Sequence, residues 1–278
     1  MEKGIIIGAI APHPPLLIPE VGGSELARAG ATVRAMRKMA EKVSEQNPEV
    51  VIIVSPHSPT RADAMGIAMA PVLEGDFGQF RAPQVRMKLS THQPLVEAVV
   101  NEARRENFPL RSTGRGQTGP ELDWGVMVPM YFLRQASPSD IPVVSLSFSS
   151  LSYGAHLDFG RILRQAAEAA GVRAALVASG DMSHHLSNDS PYGYNPMGPV
   201  FDDAVADAVA RWDAAAITGI EPDVIQGAGE CGLRSIIILF GALEGLPVAS
   251  EVLSHEGPFG IGYLVALATV KEAHDGQL

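Results

Sequence analysis

Hydrophobic and polar positions alternate along this chain between two kinds of pattern. Residues 5–10 (IIIGAI) form an apolar run rich in β-branched side chains, the pattern of a strand covered on both faces. VVIIVSPHS at 50–58 repeats it, and further strands are predicted at GIAMA (66–70), IPVVSLSF (141–148), AALVASGD (174–181) and GPFGIGYLVALATV (257–270). Residues 24–46 instead space their apolar positions helically, with Ser24 as a candidate N-cap. Similar spacing predicts helices near 94–106, 124–136, 155–170, 199–212 and 230–244. Such alternation predicts an α/β fold, a three-layer α/β/α arrangement around a mostly parallel or mixed central sheet. No short-period repeat, low-complexity tract or linker divides the chain, so one domain over residues 1–278 is expected.

The candidate chemistry sits where the apolar runs stop. In APHPP, Pro12 and Pro14 end the first strand, because proline gives a ladder no N–H and fixes its own φ, leaving His13 on a stiff backbone. SPHS delivers His57 to the same kind of place, and the carboxyl edge of an open α/β sheet is where ligands bind. AALVASGDMSHHLS is a third such run, ending at Asp181, His184 and His185, of which His185 is read as solvated. In GAGECGLRS, Glu230 stands at the first turn of a predicted helix, either as an ordinary helix-start carboxylate or as a ligand beside His13 and His57. Two imidazoles and one carboxylate with open positions form the facial triad of non-haem Fe(II) enzymes, and Zn(II) with a bound water fits the same set.

Composition narrows the partners. With 46% hydrophobic and 19% charged residues the chain can bury a large core. A net charge of -10 argues against a nucleic-acid partner, since nothing would neutralise a run of phosphates. A single cysteine excludes an intrachain disulfide framework. The N-terminus shows no basic n-region of a signal peptide, and no apolar stretch reaches bilayer-spanning length. A cytoplasmic protein is expected, without membrane association and, on base rates, a homo-oligomer.

The segments APHPP, SPHS, LDWGVMVPMYFL, ASGDMSHHL, AGECGLRS and EGPFGIGYLVA, in that order, resemble the class III extradiol ring-cleavage dioxygenase superfamily of LigB-like catalytic subunits. The nearest resemblance is to the branch that includes AmmeMemoRadiSam-associated and Memo-like proteins. It implies His13, His57 and Glu230 as Fe(II) ligands and His184 as the acid–base residue; Asp181, three residues before His184, is read either as orienting it or as shaping the turn. It also implies oxygenative cleavage of a catechol-type aromatic diol, with dioxygen as co-substrate. Two positions depart from the pattern. Trp124 stands where active relatives carry a histidine, and an indole can donate a hydrogen bond but not shuttle a proton. Cys231 matches a pocket cysteine of Memo-like relatives, so that Glu230 and Cys231 are alternative ligands. The alternative function is then a metal-binding or partner protein without dioxygenase turnover.

The remaining candidates carry less. His92, His156 and His274 read as surface residues, and His255 as a turn residue that is not a ligand. The glycine-rich segment 114–125 and the loop 187–199 read as pocket walls, with Tyr192 and Tyr194 either lining the entrance or stiffening the loop. Arg234, one turn after Glu230, reads either as a binder of a substrate carboxylate or as a partner of Glu230 itself.

Overall fold

The structure is a computed structural model, and it describes residues 3–113, 122–137 and 140–271. β1 (Gly4–Ala11) runs into Pro12, and after a short 3-10 turn come α1 (Pro19–Gly22), a 3-10 segment at Gly23–Ala29 and α2 (Gly30–Glu45). β2 (Val50–Ser55) and β3 (Met65–Ala68) precede a hairpin of β4 (Val72–Phe77) and β5 (Ala82–Ser90), then α3 (Gln93–Arg105) and β6 (Leu110–Thr113). α4 (Trp124–Ala136), β7 (Val143–Ser147), α5 (Tyr153–Ala169) and β8 (Arg173–Ser179) follow. The chain closes with α6 (Met197–Arg211), the short α7 (Ala214–Thr218) and α8 (Pro222–Ala228), α9 (Leu233–Ala242), β9 (Val248–Glu256) and β10 (Tyr263–Val270).

One mixed sheet runs in the order β6-β3-β7-β2-β8-β1-β10-β9. Its centre, β7-β2-β8-β1, is wholly parallel, so these four strands end on one edge. β10 and β9 extend it antiparallel beyond β1, while β3 joins β7 antiparallel and carries β6 parallel to itself. Val50, Ile52 and Val54 of β2 face a core built with α3, α5, α6 and α9, whereas Val51 and Ile53 face one built with α2, α4 and the β4–β5 hairpin. Burial on both faces is why the central strands read as unbroken apolar runs. This is the three-layer α/β arrangement expected from the alternation.

Differences from the sequence pattern have local physical reasons. Ser24 caps no helix: α2 starts at Gly30, and its Thr32 N–H is held by Glu256 Oε1 (2.7 Å), a carboxylate distant in sequence. β10 begins only at Tyr263, because the preceding residues turn through Gly260 at φ +71°. The hairpin and β9 have no counterpart among the predicted elements; their alternating exposure is the weak signal of strands half open to solvent. Among the described residues no helix is long and apolar enough to cross a membrane.

α5 and α9 pack at backbone distance and run in the same direction, with Arg234 beside Tyr153 and Glu244 beside Arg161. A Cβ on Gly160 would lie 2.2 Å from the Ile238 carbonyl oxygen, and one on Gly241 2.2 Å from that of Leu157. Both helix N-termini are thereby held at the sheet edge that carries the ends of the parallel strands. Gly160→Ala must push the helices apart, and an overpacking cost of about 1–3 kcal/mol is expected. Urea unfolding should show a lowered midpoint with unchanged slope; an unchanged midpoint would mean that this approach is not tight.

Candidate metal centre and active site

Three parallel strands deliver their functional residues by one rule. His13 lies two residues past the end of β1, His57 two past β2 and Asp181 two past β8. The register pairs Ala11 with Ser179 and Val54 with Ala178, so the three ends are level. β1 and β2 are not neighbours but flank β8, about 10 Å apart at ordinary strand spacing. The imidazoles close that gap by reaching over the end of β8: their Nε2 atoms are 2.9 Å apart and the rings meet edge to face.

Ser179 sets the tautomer of His13. Its Oγ lies 2.9 Å from His13 Nδ1 and donates to the Gly125 carbonyl oxygen at 2.6 Å. Since the hydroxyl's single proton goes to that carbonyl, Nδ1 is the donor to Oγ, and His13 Nε2 keeps its lone pair toward the site. Asp181 Oδ1 accepts the His13 backbone N–H at 2.9 Å. The turn carrying His57 is held by Asp123, whose two carboxylate oxygens accept from Ser55 Oγ (2.6 Å) and Ser58 Oγ (2.5 Å) while Oδ1 caps α4 at Val126 N–H. Trp124, the first residue of α4, lays its indole against the His57 ring with centroids 4.0 Å apart.

Cys231 joins the two histidines. A Cβ on Gly180 would sit 2.1 Å from Gly232 Cα, so the exit of β8 and the Cys231–Gly232 loop are in backbone contact. The thiol accepts the Asp181 N–H at 3.3 Å and lies 3.7 Å from His13 Nε2. Ligand atoms of His13, His57 and Cys231 all lie within 4.8 Å of one another, the group among the described residues able to hold a metal ion. A tetrahedral ion with ordinary Zn–N and Zn–S lengths keeps its donors roughly 3.3 to 3.8 Å apart. The thiol already stands 3.7 Å from His13 Nε2, and the two nitrogens, at 2.9 Å, reach that spacing by parting a few tenths of an ångström.

Glu230 is not in that group. Its Oε2 accepts the Leu233 N–H at 2.6 Å and so caps α9, the helix-start role that its place in the sequence left open. His184 lies near enough to both His13 and His57 to act on them electrostatically. Its Nδ1 meets the Gly229 carbonyl and must therefore carry the hydrogen, which leaves Nε2 with a free lone pair. Tyr192, exposed on the loop before α6, sets its ring edge against His184. His185 is half-buried rather than solvated, with Nδ1 donating to the Gly193 carbonyl oxygen at 3.1 Å.

Other expectations change with the fold. His156 is fully buried on α5 rather than at the surface, and His92 is the N-cap of α3, accepting Leu95 N–H. His255 belongs to β9, not to a turn, and pairs with buried Asp202 at 3.1 Å, which in turn accepts the Ser183 N–H beside His184. His274 and most of the glycine-rich segment, residues 114–121, lie outside the described residues.

Burial dominates the electrostatics. It lowers His13 to about 4, and burial together with neighbouring His13 lowers His57 to about 4. Burial raises Asp181 to about 6, and burial followed by the charge of Asp181 pushes the Cys231 thiol well up. At neutral pH the site thus offers two neutral imidazoles and a thiol whose proton a bound cation would displace.

With this geometry, the comparisons with known proteins define the class. The chain matches the family described as the catalytic LigB subunit of aromatic ring-opening dioxygenase over residues 8–266, and it belongs to that family. It is 35% identical over 259 residues to protein CA_C1420 of Clostridium acetobutylicum, a match covering 91% of this chain and 55% of that one. It is 25% identical over 213 residues to the 2-aminophenol 1,6-dioxygenase beta subunit of a Pseudomonas species, covering 67% of this chain and 65% of the relative. The chain thus spans between half and two thirds of the length of these relatives. The crystal structure of the uncharacterized protein JW3007 of Escherichia coli K12 shares the fold at a TM-score of 0.62 and 18% identity, over 95% of this chain and 99% of that one.

Two predictions follow from the ligand geometry and its protonation. Cys231→Ser should lose most bound metal, whereas Glu230→Gln should keep it, as read by elemental analysis after anaerobic purification; the reverse pattern would restore the carboxylate as ligand. The lowered histidine values also fix a sign. Between about 6.5 and about 4 these two histidines bind more protons in the unfolded chain than in the folded one, so together, against the smaller opposite contribution of Asp181, they make the stability of the metal-free protein rise with pH across that window. Its melting temperature should fall on acidification from pH 6.5 to 4, and fall less in a His13→Gln variant.

Proposed function

We propose that this protein is a metal-dependent ring-cleavage dioxygenase of the extradiol type, opening a catechol-type or aminophenol-type aromatic ring with dioxygen. The carrying observation is that His13 and His57 meet over the end of β8 with a third donor while His184 brings a free Nε2 to the same edge. Family membership and the aminophenol dioxygenase relative support the reading. His13, His57 and Cys231 would hold the ion, Fe(II) first and Zn(II) as the alternative, and the ion would supply Lewis acidity and, as iron, access to dioxygen chemistry.

The chain's own residues supply the rest. His184 Nε2 takes the proton from a substrate hydroxyl and returns one later, its ring anchored through Nδ1 to Gly229. Asp181 fixes the backbone of His13 and, through its own N–H, the thiol of Cys231, a positioning role. Trp124 supports the His57 ring and forms an apolar wall beside it. We place the aromatic substrate between that wall and His184.

Two observations favour a second reading, a metal-binding protein without oxygenase turnover. The donor set carries a soft thiol where the facial triad has a carboxylate, and the position matching the family's additional histidine is occupied by Trp124. An oxygen-uptake screen over catechols and 2-aminophenols with iron-loaded protein separates the two. Uptake by wild type, lost about a hundredfold or more in His184→Ala at unchanged metal content, is the expected result. Full metal occupancy with no uptake on any of these substrates would replace the enzyme reading with the second one.

A further inference from the structure

His184 is carried on a turn, residues 183–185, whose backbone groups are all engaged. Ser183 N–H donates to Asp202 Oδ1 at 2.7 Å, and the Ser183 carbonyl oxygen accepts Gly262 N–H at 2.8 Å. His184 N–H donates to the Ala228 carbonyl oxygen at 2.9 Å, while the His184 carbonyl oxygen accepts the Ser190 hydroxyl. His185 N–H donates to Ser183 Oγ at 3.0 Å, and the His185 carbonyl oxygen accepts Asn195 N–H at 3.1 Å. Of these partners only Asp202, on α6, is ionisable. A bond from an amide to a charged carboxylate is shorter and stronger than one to a neutral acceptor.

His255 engages the second oxygen of that carboxylate. It lies on β9, and its Nε2 donates to Asp202 Oδ2 at 3.1 Å. The His255 side chain is 26% exposed, whereas that of Asp202 is 2% exposed. The backbone before β10 presses on the same oxygen: a Cβ on Gly262 would stand 1.9 Å from Asp202 Oδ2, so only glycine admits the carboxylate there. Burial pushes the Asp202 carboxyl up, and the bond from His255 pulls it back, while Asp202 raises His255. Asp203, the next residue of α6, is near enough to act on both. An isolated buried carboxylate takes up a proton rather than stay charged. His255 therefore supplies the positive partner that keeps Asp202 ionised.

We propose that His255 and Asp202 are the positioning residues of His184: by holding the Ser183 N–H they fix the turn so that His184 keeps its Nδ1 hydrogen on the Gly229 carbonyl and its Nε2 free. The inference rests on the functional reading above and deepens it, since it names two residues outside the candidate ligand set on which proton transfer depends. The connection is short, because Ser183 directly precedes His184 and a displaced Ser183 N–H carries the next residue with it. An imidazole that loses its anchor at Nδ1 interconverts between tautomers. The form with hydrogen on Nε2 has no lone pair there to take a substrate proton. Without His255, burial protonates Asp202 and the charge-assisted bond to Ser183 weakens to an ordinary one.

The test reads the His184 ring directly, by long-range proton–nitrogen NMR spectra of the zinc-loaded protein, with His184→Gln identifying its signals. Wild type should show the neutral tautomer with hydrogen on Nδ1. His255→Leu should move the ring toward a mixture of the two tautomers at unchanged zinc content. His255→Gln, which keeps a donor to Asp202, should recover the wild-type pattern. With catechol or 2-aminophenol on iron-loaded protein, His255→Leu should lower kcat about tenfold or more while KM stays within about twofold. Wild-type tautomer signals in His255→Leu overturn the proposal, and so does an effect confined to KM. If His255→Leu does not fold, Asp202→Asn, which keeps the shape of the acceptor without its charge, should shift the tautomer in the same direction, and an unchanged ring overturns the proposal. A shifted tautomer with no oxygen uptake by wild type would fail the dioxygenase reading alone, whereas uptake with an unshifted tautomer would fail the positioning pair alone.

Discussion

β8 lies between β1 and β2 with Ala178 level with Val54 and Ser179 level with Ala11, and that register determines what the three strand ends can do together. A slip of one residue would turn His13 or His57 to the opposite face of the sheet. The register is strongly specified because both faces of these strands are buried against helices. The same packing that stabilises the sheet therefore also aligns the site. Ser179 then links the two functions, as the last residue of β8 and as the acceptor that sets the tautomer of His13.

Around that alignment the polar groups are organised in pairs that each settle one conformation. Asp123 gathers the two hydroxyls flanking His57 and starts α4, and Asp181 ties His13 to Cys231. Asp202, paired with His255, holds the turn before His184. Carboxylates are buried here at a desolvation cost, and each offsets it by accepting from backbone or side-chain donors that would otherwise be orphaned. At the start of α5 and α9, His156 Nε2, Arg234 Nε and Ser235 Oγ are buried without such a partner.

With the Cys231 thiol beside His13 and His57 as a candidate donor, the set would select differently from a facial triad. Thiolate and imidazole together suit zinc, copper and iron, where two imidazoles with a carboxylate mark the oxygen-handling Fe(II) centres. Cys231 and Glu230 are adjacent in sequence, so the exchange of one donor for the other is a matter of which way a single turn faces. Here the first N–H groups of α9 draw the carboxylate toward the helix, and the contact between Gly180 and Gly232 draws the thiol toward the histidines.

The apolar runs by themselves determined the α/β layering, the limits of α4 and the placement of His13 and His57 at strand ends, because two-sided burial writes itself into consecutive residues. The motif order was sufficient to place the chain among LigB-like proteins. The edge elements β4, β5 and β9 were not legible, since strands open to solvent on one face carry a diluted pattern. Whether His13 and His57 could meet depended on strand order, which no local pattern encodes. The approach of the Cys231 thiol to His13, the engagement of Glu230 at the start of α9 and the burial of His156 all depend on contacts between α5, α9 and β8, segments distant along the chain. Those were decided only when the helices packed at backbone distance, setting Cys231 Sγ 3.7 Å from His13 Nε2 and Glu230 Oε2 on the Leu233 N–H.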